Sequence, residues 1–138
     1  MTVLSQSDKK NKLDENSLNK LRENYELALA RNQKTNAAFI FSLTDRSCID
    51  SHPYPCQDDP RCNVELEDLR KVMRERMLCI AESQVCPTKE CSLLGGQYIE
   101  SYSTAAFVCS LDLESALKIL ERSDVATIEL ADIVEVDP

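Results

Sequence analysis

Apolar residues recur along this chain in two rhythms, three-and-four and every second, and the switches between them lay out the elements. Leu18, Leu21, Tyr25, Ala28 and Leu29 form one helical stripe. They predict a helix opened by Asp14 or Ser17 and running to about Arg31. Ala37–Leu43 is short, apolar and aromatic, the pattern of a buried strand. Residues 44–62 hold Pro53, Pro55, Pro60 and three cysteines, a proline density that fits neither a central strand nor a helix. Asn63 is a good helix cap, with Glu65, Glu67 and Asp68 at the positive end of the helix dipole. Leu66, Leu69, Met73, Met77 and Ile80 then keep helical spacing. This helix is expected to stop before Pro87, because proline disfavours a helical residue ahead of it. Gly95-Gly96 marks a turn. Residues 98–102 and 105–111 read as a hairpin with a tight Ser103-Thr104 link. Asp112 caps a helix carrying Leu113, Ala116, Leu117 and Leu120 on one face, and residues 125–136 make a closing strand.

From residue 37 the order is strand, helix, strand, strand, helix, strand. That is the split βαβ, or ferredoxin-like, order of an α+β fold. It implies an antiparallel four-stranded sheet with both helices on one face, preceded by the N-terminal helix. The domain reading is residues 1–36 as an arm and amphipathic helix, and 37–138 as the ferredoxin-like domain with a Cys/Pro-rich insertion at 44–62. A length of 138 residues, 43% of them hydrophobic, suits one such domain.

Composition narrows the function. The chain has 2 Gly, a net charge of −8 and no run near the ~18 apolar residues of a membrane helix. Two glycines exclude a Gly-rich phosphate loop and the dinucleotide fingerprint. Residues 1–34 carry seven basic and five acidic side chains, whereas no Lys or Arg follows Arg122. An acidic body repels phosphate backbones, so no nucleic acid and no membrane is expected as partner. The first ten residues lack a basic segment followed by an apolar one. The expected compartment is therefore the cytoplasm, or the exterior if a leader was removed.

The seven cysteines are Cys48, Cys56, Cys62, Cys79, Cys86, Cys91 and Cys109. Without a leader, reduced thiols are the default. Cys79 and Cys109 fall in a predicted helix and strand, where cysteine commonly acts as a small buried hydrophobe. Cys86 and Cys91 could close a small loop or be unrelated. Cys48, His52, Cys56 and Cys62 are the set that could ligate zinc, but the chain lacks the Cys-x-x-Cys knuckle of structural zinc sites. No metal or other cofactor is expected. The lone His52 is the single imidazole base available to a thiol, and Asp58-Asp59 before Pro60 reads as a solvated turn, so no catalysis is expected.

In the last third, residues 98–109, with Phe107 at the centre of a strand, lead to a helix with Ala116-Leu117 and Leu120, followed by Asp124-Val125. This segment resembles the propeptide-like inhibitors of subtilisin-type serine proteases. The resemblance implies a protein-binding module whose sheet face docks on a protease. Its extended tail, here Ile133, Val134, Glu135, Val136, Asp137 and Pro138, would enter the cleft like a product strand. Two other readings stand beside it. One is a non-catalytic ferredoxin-like interaction or regulatory protein. The other is a zinc- or redox-responsive module built on the 48–91 cysteines.

Overall fold

The computed structural model describes residues 12–32, 35–55 and 65–131. In chain order its elements are α1 (Glu15–Asn32), β1 (Ala37–Leu43), α2 (Ser47–Ser51), α3 (Leu66–Ser83), α4 (Val85–Leu93), β2 (Gln97–Tyr102), β3 (Ala106–Leu111), α5 (Leu113–Leu120) and β4 (Val125–Leu130). The chain is thus a mixed α+β structure around an open sheet of four strands, ordered β2-β3-β1-β4. Every neighbouring pair is antiparallel.

Two of the three expected caps act where the sequence puts them, whereas α3 opens at Leu66 with Glu65 in the cap position, and the expected cap Asn63 lies outside the described residues. Asp14 Oδ1 accepts from the Ser17 amide at 2.7 Å and Asp112 Oδ1 from the Ser115 amide at 2.8 Å, satisfying donors that the first turn leaves unpaired. Two helices go beyond the sequence reading. Within the proline-rich stretch, α2 forms a single short turn opened by Asp45, whose Oδ1 takes the Ser47 amide at 2.9 Å. After α3 the chain breaks at Gln84 and starts a second helix, α4, with Pro87 in its first turn. Proline is tolerated there because its missing N–H would have had no partner inside the helix. The expected stop before Pro87 is therefore a restart. The hairpin link is three residues, Ser103-Thr104-Ala105, and β3 starts one residue later than expected.

Pairing fixes which side of the sheet is covered. Phe41 lies opposite Phe107 on β3 and Ile128 on β4, and Phe39 opposite Cys109 and Leu130. Ala37, Phe39, Phe41, Leu43, Phe107, Cys109, Leu111, Val125 and Ile128 all belong to one buried cluster. Phe41 and Phe107 stack at 5.3 Å between centroids, and Tyr25 of α1 stacks on Phe39 at 5.8 Å. Such pairs contribute about 0.5–1.5 kcal/mol beyond the area they bury. Leu21 of α1, Cys48 of α2, Ile80 of α3, Cys91 of α4 and Ala116 and Ile119 of α5 join the same cluster. All five helices among the described residues therefore contribute to one side of the sheet, and the N-terminal helix shares the core of the body that follows it.

Among the described residues two cross-links and one cation pin the helices down. Cys48 of α2 is bonded to Cys79 of α3 (Cα–Cα 5.6 Å), and Cys91 of α4 to Cys109 of β3 (Cα–Cα 6.6 Å). Cys79 and Cys109 are thus more than buried hydrophobes, and Cys91 pairs across to the sheet rather than with Cys86. The ammonium of Lys12 donates to the carbonyls of Leu120, Arg122 and Val125. It holds the start of the described chain on the C-terminal end of α5, where the helix dipole favours a cation.

Candidate functional site

Strand alternation leaves the second side of the sheet with its own set of side chains. Its centre is Ala38 and Ile40 of β1 beside Ala106 and Val108 of β3, with Ser42 and Ser110 at the ends. None of these six belongs to the core cluster of the helix-covered face, yet Ala106 and Val108 are themselves buried, and Ala38, Ile40, Ser42 and Ser110 are half-buried. Around them stand Gln97, Glu100 and Tyr102 of β2 and Thr127 and Glu129 of β4, all exposed. The Tyr102 hydroxyl donates to Glu100 Oε2 at 3.1 Å, and this bond holds the phenolic proton and pushes its pKa up. An apolar strip of small and aliphatic side chains with a polar, acidic rim has the anatomy of a protein-docking surface. Sequence spacing alone did not show it. Residues 106–109 are apolar at every position, so alternation is invisible until pairing with β1 sends Phe107 one way and Val108 the other.

The strand that leads to the predicted tail is β4. Ala131, just beyond it, still donates its amide to the Ala38 carbonyl at 2.8 Å, so the chain leaves the sheet next to the apolar strip. The tail residues Ile133, Val134, Glu135, Val136, Asp137 and Pro138 lie outside the described residues.

The cysteine and histidine set is arranged differently from a ligand cluster. Cys48 is bonded to Cys79, and a disulfide sulfur is not a thiolate that could hold zinc or attack a substrate. His52 lies at the end of α2 with its Nδ1 4.0 Å from Glu75 Oε1 of α3, and its carbonyl accepts from Arg76 Nε at 3.0 Å. Cys56 and Cys62 lie outside the described residues, as do Asp58 and Asp59. Among the described residues no group of three or more His, Cys, Asp or Glu side chains converges as a metal site requires. Arg76 is buried, bonded to backbone carbonyls of His52 and Ser103 and stacked 4.0 Å over the Tyr54 ring. These contacts tie the end of α2 and the β2–β3 turn to α3. Cys86, on the first turn of α4, is the free thiol among the described residues and is exposed.

No helix among the described residues is long and apolar enough to cross a membrane. Comparison with protein-family models, with curated proteins and with solved structures found no match to this chain.

Proposed function

We propose that this chain is a non-catalytic protein-binding module of ferredoxin-like architecture, acting as a propeptide-like inhibitor of subtilisin-type serine proteases. The architecture is supported by the strand order, which read from β4 is 4-1-3-2, with the β2–β3 hairpin between two helical crossovers. The observation that carries the binding role is the one-sided core. The helices bury one face of the sheet, while on the other the half-buried Ala38 and Ile40, beside the buried Ala106 and Val108, form a separate apolar strip outside that core. Its acidic rim, with Glu100 and Glu129, favours a partner surface that is neutral or basic. The tail of residues 133–138 follows directly from the strand beside this strip, so face and tail would engage one partner together.

The same reading sets the compartment. The cytoplasmic expectation rested on a start that does not resemble a leader, with reduced thiols as its consequence. Cross-links between Cys48 and Cys79 and between Cys91 and Cys109 favour an oxidising, extracellular setting, where disulfides persist.

The test is inhibition of a subtilisin by the full chain and by a chain lacking residues 134–138. The full chain should inhibit stoichiometrically, and the truncated one should lose at least 100-fold in potency with an unchanged melting temperature. Equal potency of the two would reject the tail mechanism. No inhibition by either would reject the protease reading. A full chain carrying Ile40→Lys should bind at least tenfold more weakly, since a charge would then sit in the middle of the apolar strip.

A further inference from the structure

A trough of about 400 Å³ runs between α4 and the edge of the sheet at β2, lined by Ala81, Gln84, Val85, Thr88, Lys89, Ser92 and Tyr98. Val85, Thr88, Lys89 and Ser92 recur at helical spacing and form one flank, about two turns of α4 long. Tyr98 stands on the other. Gln84, where α3 breaks into α4, is 4% exposed, and its amide donates to Ser101 Oγ, which is also bonded to Tyr98 Oη at 2.6 Å. The other end of that amide, Oε1, is buried and has no hydrogen-bond partner. Turning the amide over would only exchange which end is left unpaired. A buried carbonyl oxygen without a donor costs stability, and this one belongs to a side chain that lines the trough.

The neighbouring strand has the features of a pairing edge. Among the described residues β2 is bonded only to β3, and Tyr98, Ile99 and Tyr102 are 43%, 48% and 36% exposed. Its sequence, Gln-Tyr-Ile-Glu-Ser-Tyr, has no lysine or proline of the kind that protects exposed edges, and its guard is a register shift between Tyr98 and Glu100. We propose that this trough and edge bind an extended peptide segment of a partner protein. The segment adds as a strand on β2 and sends an asparagine or glutamine side chain into the trough to donate to Gln84 Oε1.

Charge and hydrogen bonding select that side chain. As placed, Gln84 Oε1 needs a donor, which an ionised carboxylate lacks. With the amide turned over, the unpaired NH2 would need an acceptor; a carboxamide carries both. Lys89, exposed on the flank, repels a second cation, and the lining holds no carboxylate to attract one. A carboxamide supplies a donor to Gln84 and an acceptor to Lys89 together. Glu100 is the one charge on the strand, so the rest of the segment is neutral or basic. This site lies on the helix side of the sheet and does not depend on the protease reading, which uses the opposite face.

The test uses the full chain and a blocked seven-residue peptide of alternating threonine and valine, with a central glutamine and a terminal lysine. Its counterparts carry leucine or glutamate at the centre. In amide NMR titrations the glutamine peptide should perturb residues 97–102 and the Gln84 side chain, and bind at least tenfold more tightly than either counterpart. Ser92→Trp fills the trough from an exposed position and should abolish binding while melting as wild type does. Gln84→Leu, if folded, should bind the glutamine and leucine peptides equally. Ile40→Lys should leave peptide binding intact, which separates this site from the sheet face. Equal binding of all three peptides to the wild type overturns the proposal. So does the absence of any perturbation at β2 at millimolar peptide, or self-association through β2, which would make a second copy the occupant.

Discussion

The two glycines of this chain meet different demands within one turn. Gly95 adopts φ +85°, a left-handed conformation that costs L-residues about 1 kcal/mol or more. Its amide and that of Gly96 donate to Ser92 and Cys91 carbonyls at 3.0 and 2.8 Å, the paired bonds that close a helix C-terminus. Gly96 is demanded by space instead, since a Cβ there would lie 2.7 Å from the Ser110 carbonyl and overlap the Leu111 side chain. Gly95→Ala should therefore lower stability by about 1 kcal/mol. Gly96→Ala should cost more, about 2 kcal/mol or above, because β3 must move to admit the methyl. Urea midpoints in the reverse order would show that the turn geometry is mistaken. Ala105 is the mirror case, a buried non-glycine residue at φ 65°. Ala105→Gly should raise stability by up to about 1 kcal/mol through relief of the backbone, less what the lost methyl contributed to the core. The Asp14 carboxyl, held below its usual 3.8 mainly by the Ser17 amide, gives a pH signature. A depressed carboxylate pKa stabilises the fold above its unfolded value and loses that contribution as pH falls through the folded one. The protection factor of the Ser17 amide, its exchange corrected for the intrinsic rate at each pH, should accordingly fall on acidification below about pH 4, while the core of the sheet stays protected.

At the scale of elements, the parts readable from sequence were those whose signals are local. Ala37–Leu43 is bounded by polar residues on both sides, Asp14 and Asp112 sit where caps are needed, and the stripe of α5 repeats without a break. The misreadings have local causes too. Pro87 is a stop in a helix interior and harmless in a first turn, and nothing in the sequence near it says which applies until Gln84 is seen to break the helix. The second face of the sheet was hidden for another reason. Its residues are separated from the core by strand pairing, and β1 and β3 meet across more than 60 residues of chain. Lys12 was equally unreadable, since its three carbonyl acceptors lie more than 100 positions away. They predict that Lys12→Met destabilises the chain by about 1.5–3 kcal/mol, the range for hydrogen bonds to a charged group. Hydrogen exchange should localise the loss to α5 and the turn into β4. A uniform loss of protection across the sheet would contradict this, as would no loss at all.

For the whole molecule the decisive physics is how the two cross-links among the described residues hold α2, α3 and α4 on the sheet. The Cys48–Cys79 bond closes a separation of 31 residues and Cys91–Cys109 one of 18. By chain entropy, loops of this length contribute about 3–4 kcal/mol each. Folded domains are stable by about 5–15 kcal/mol in all, so the pair together is comparable with the whole margin of a modest domain. The sheet itself is less dependent on them. Its aromatic centre of Phe39, Phe41 and Phe107 is closed by α1 and α5, neither of which carries a cross-link. Reduction should therefore lower the urea midpoint by more than half and release α3 and α4 first. Their amides should lose protection at denaturant concentrations where β1, β3 and α5 are still closed. The comparison is urea unfolding followed by hydrogen exchange, with and without a phosphine reductant, on chain whose thiols have been counted beforehand. An unchanged midpoint in chain that began with both bonds formed would mean that packing alone holds the helices. Collapse of every element at one midpoint would mean that sheet and helices form a single cooperative unit rather than a core with tethered cover.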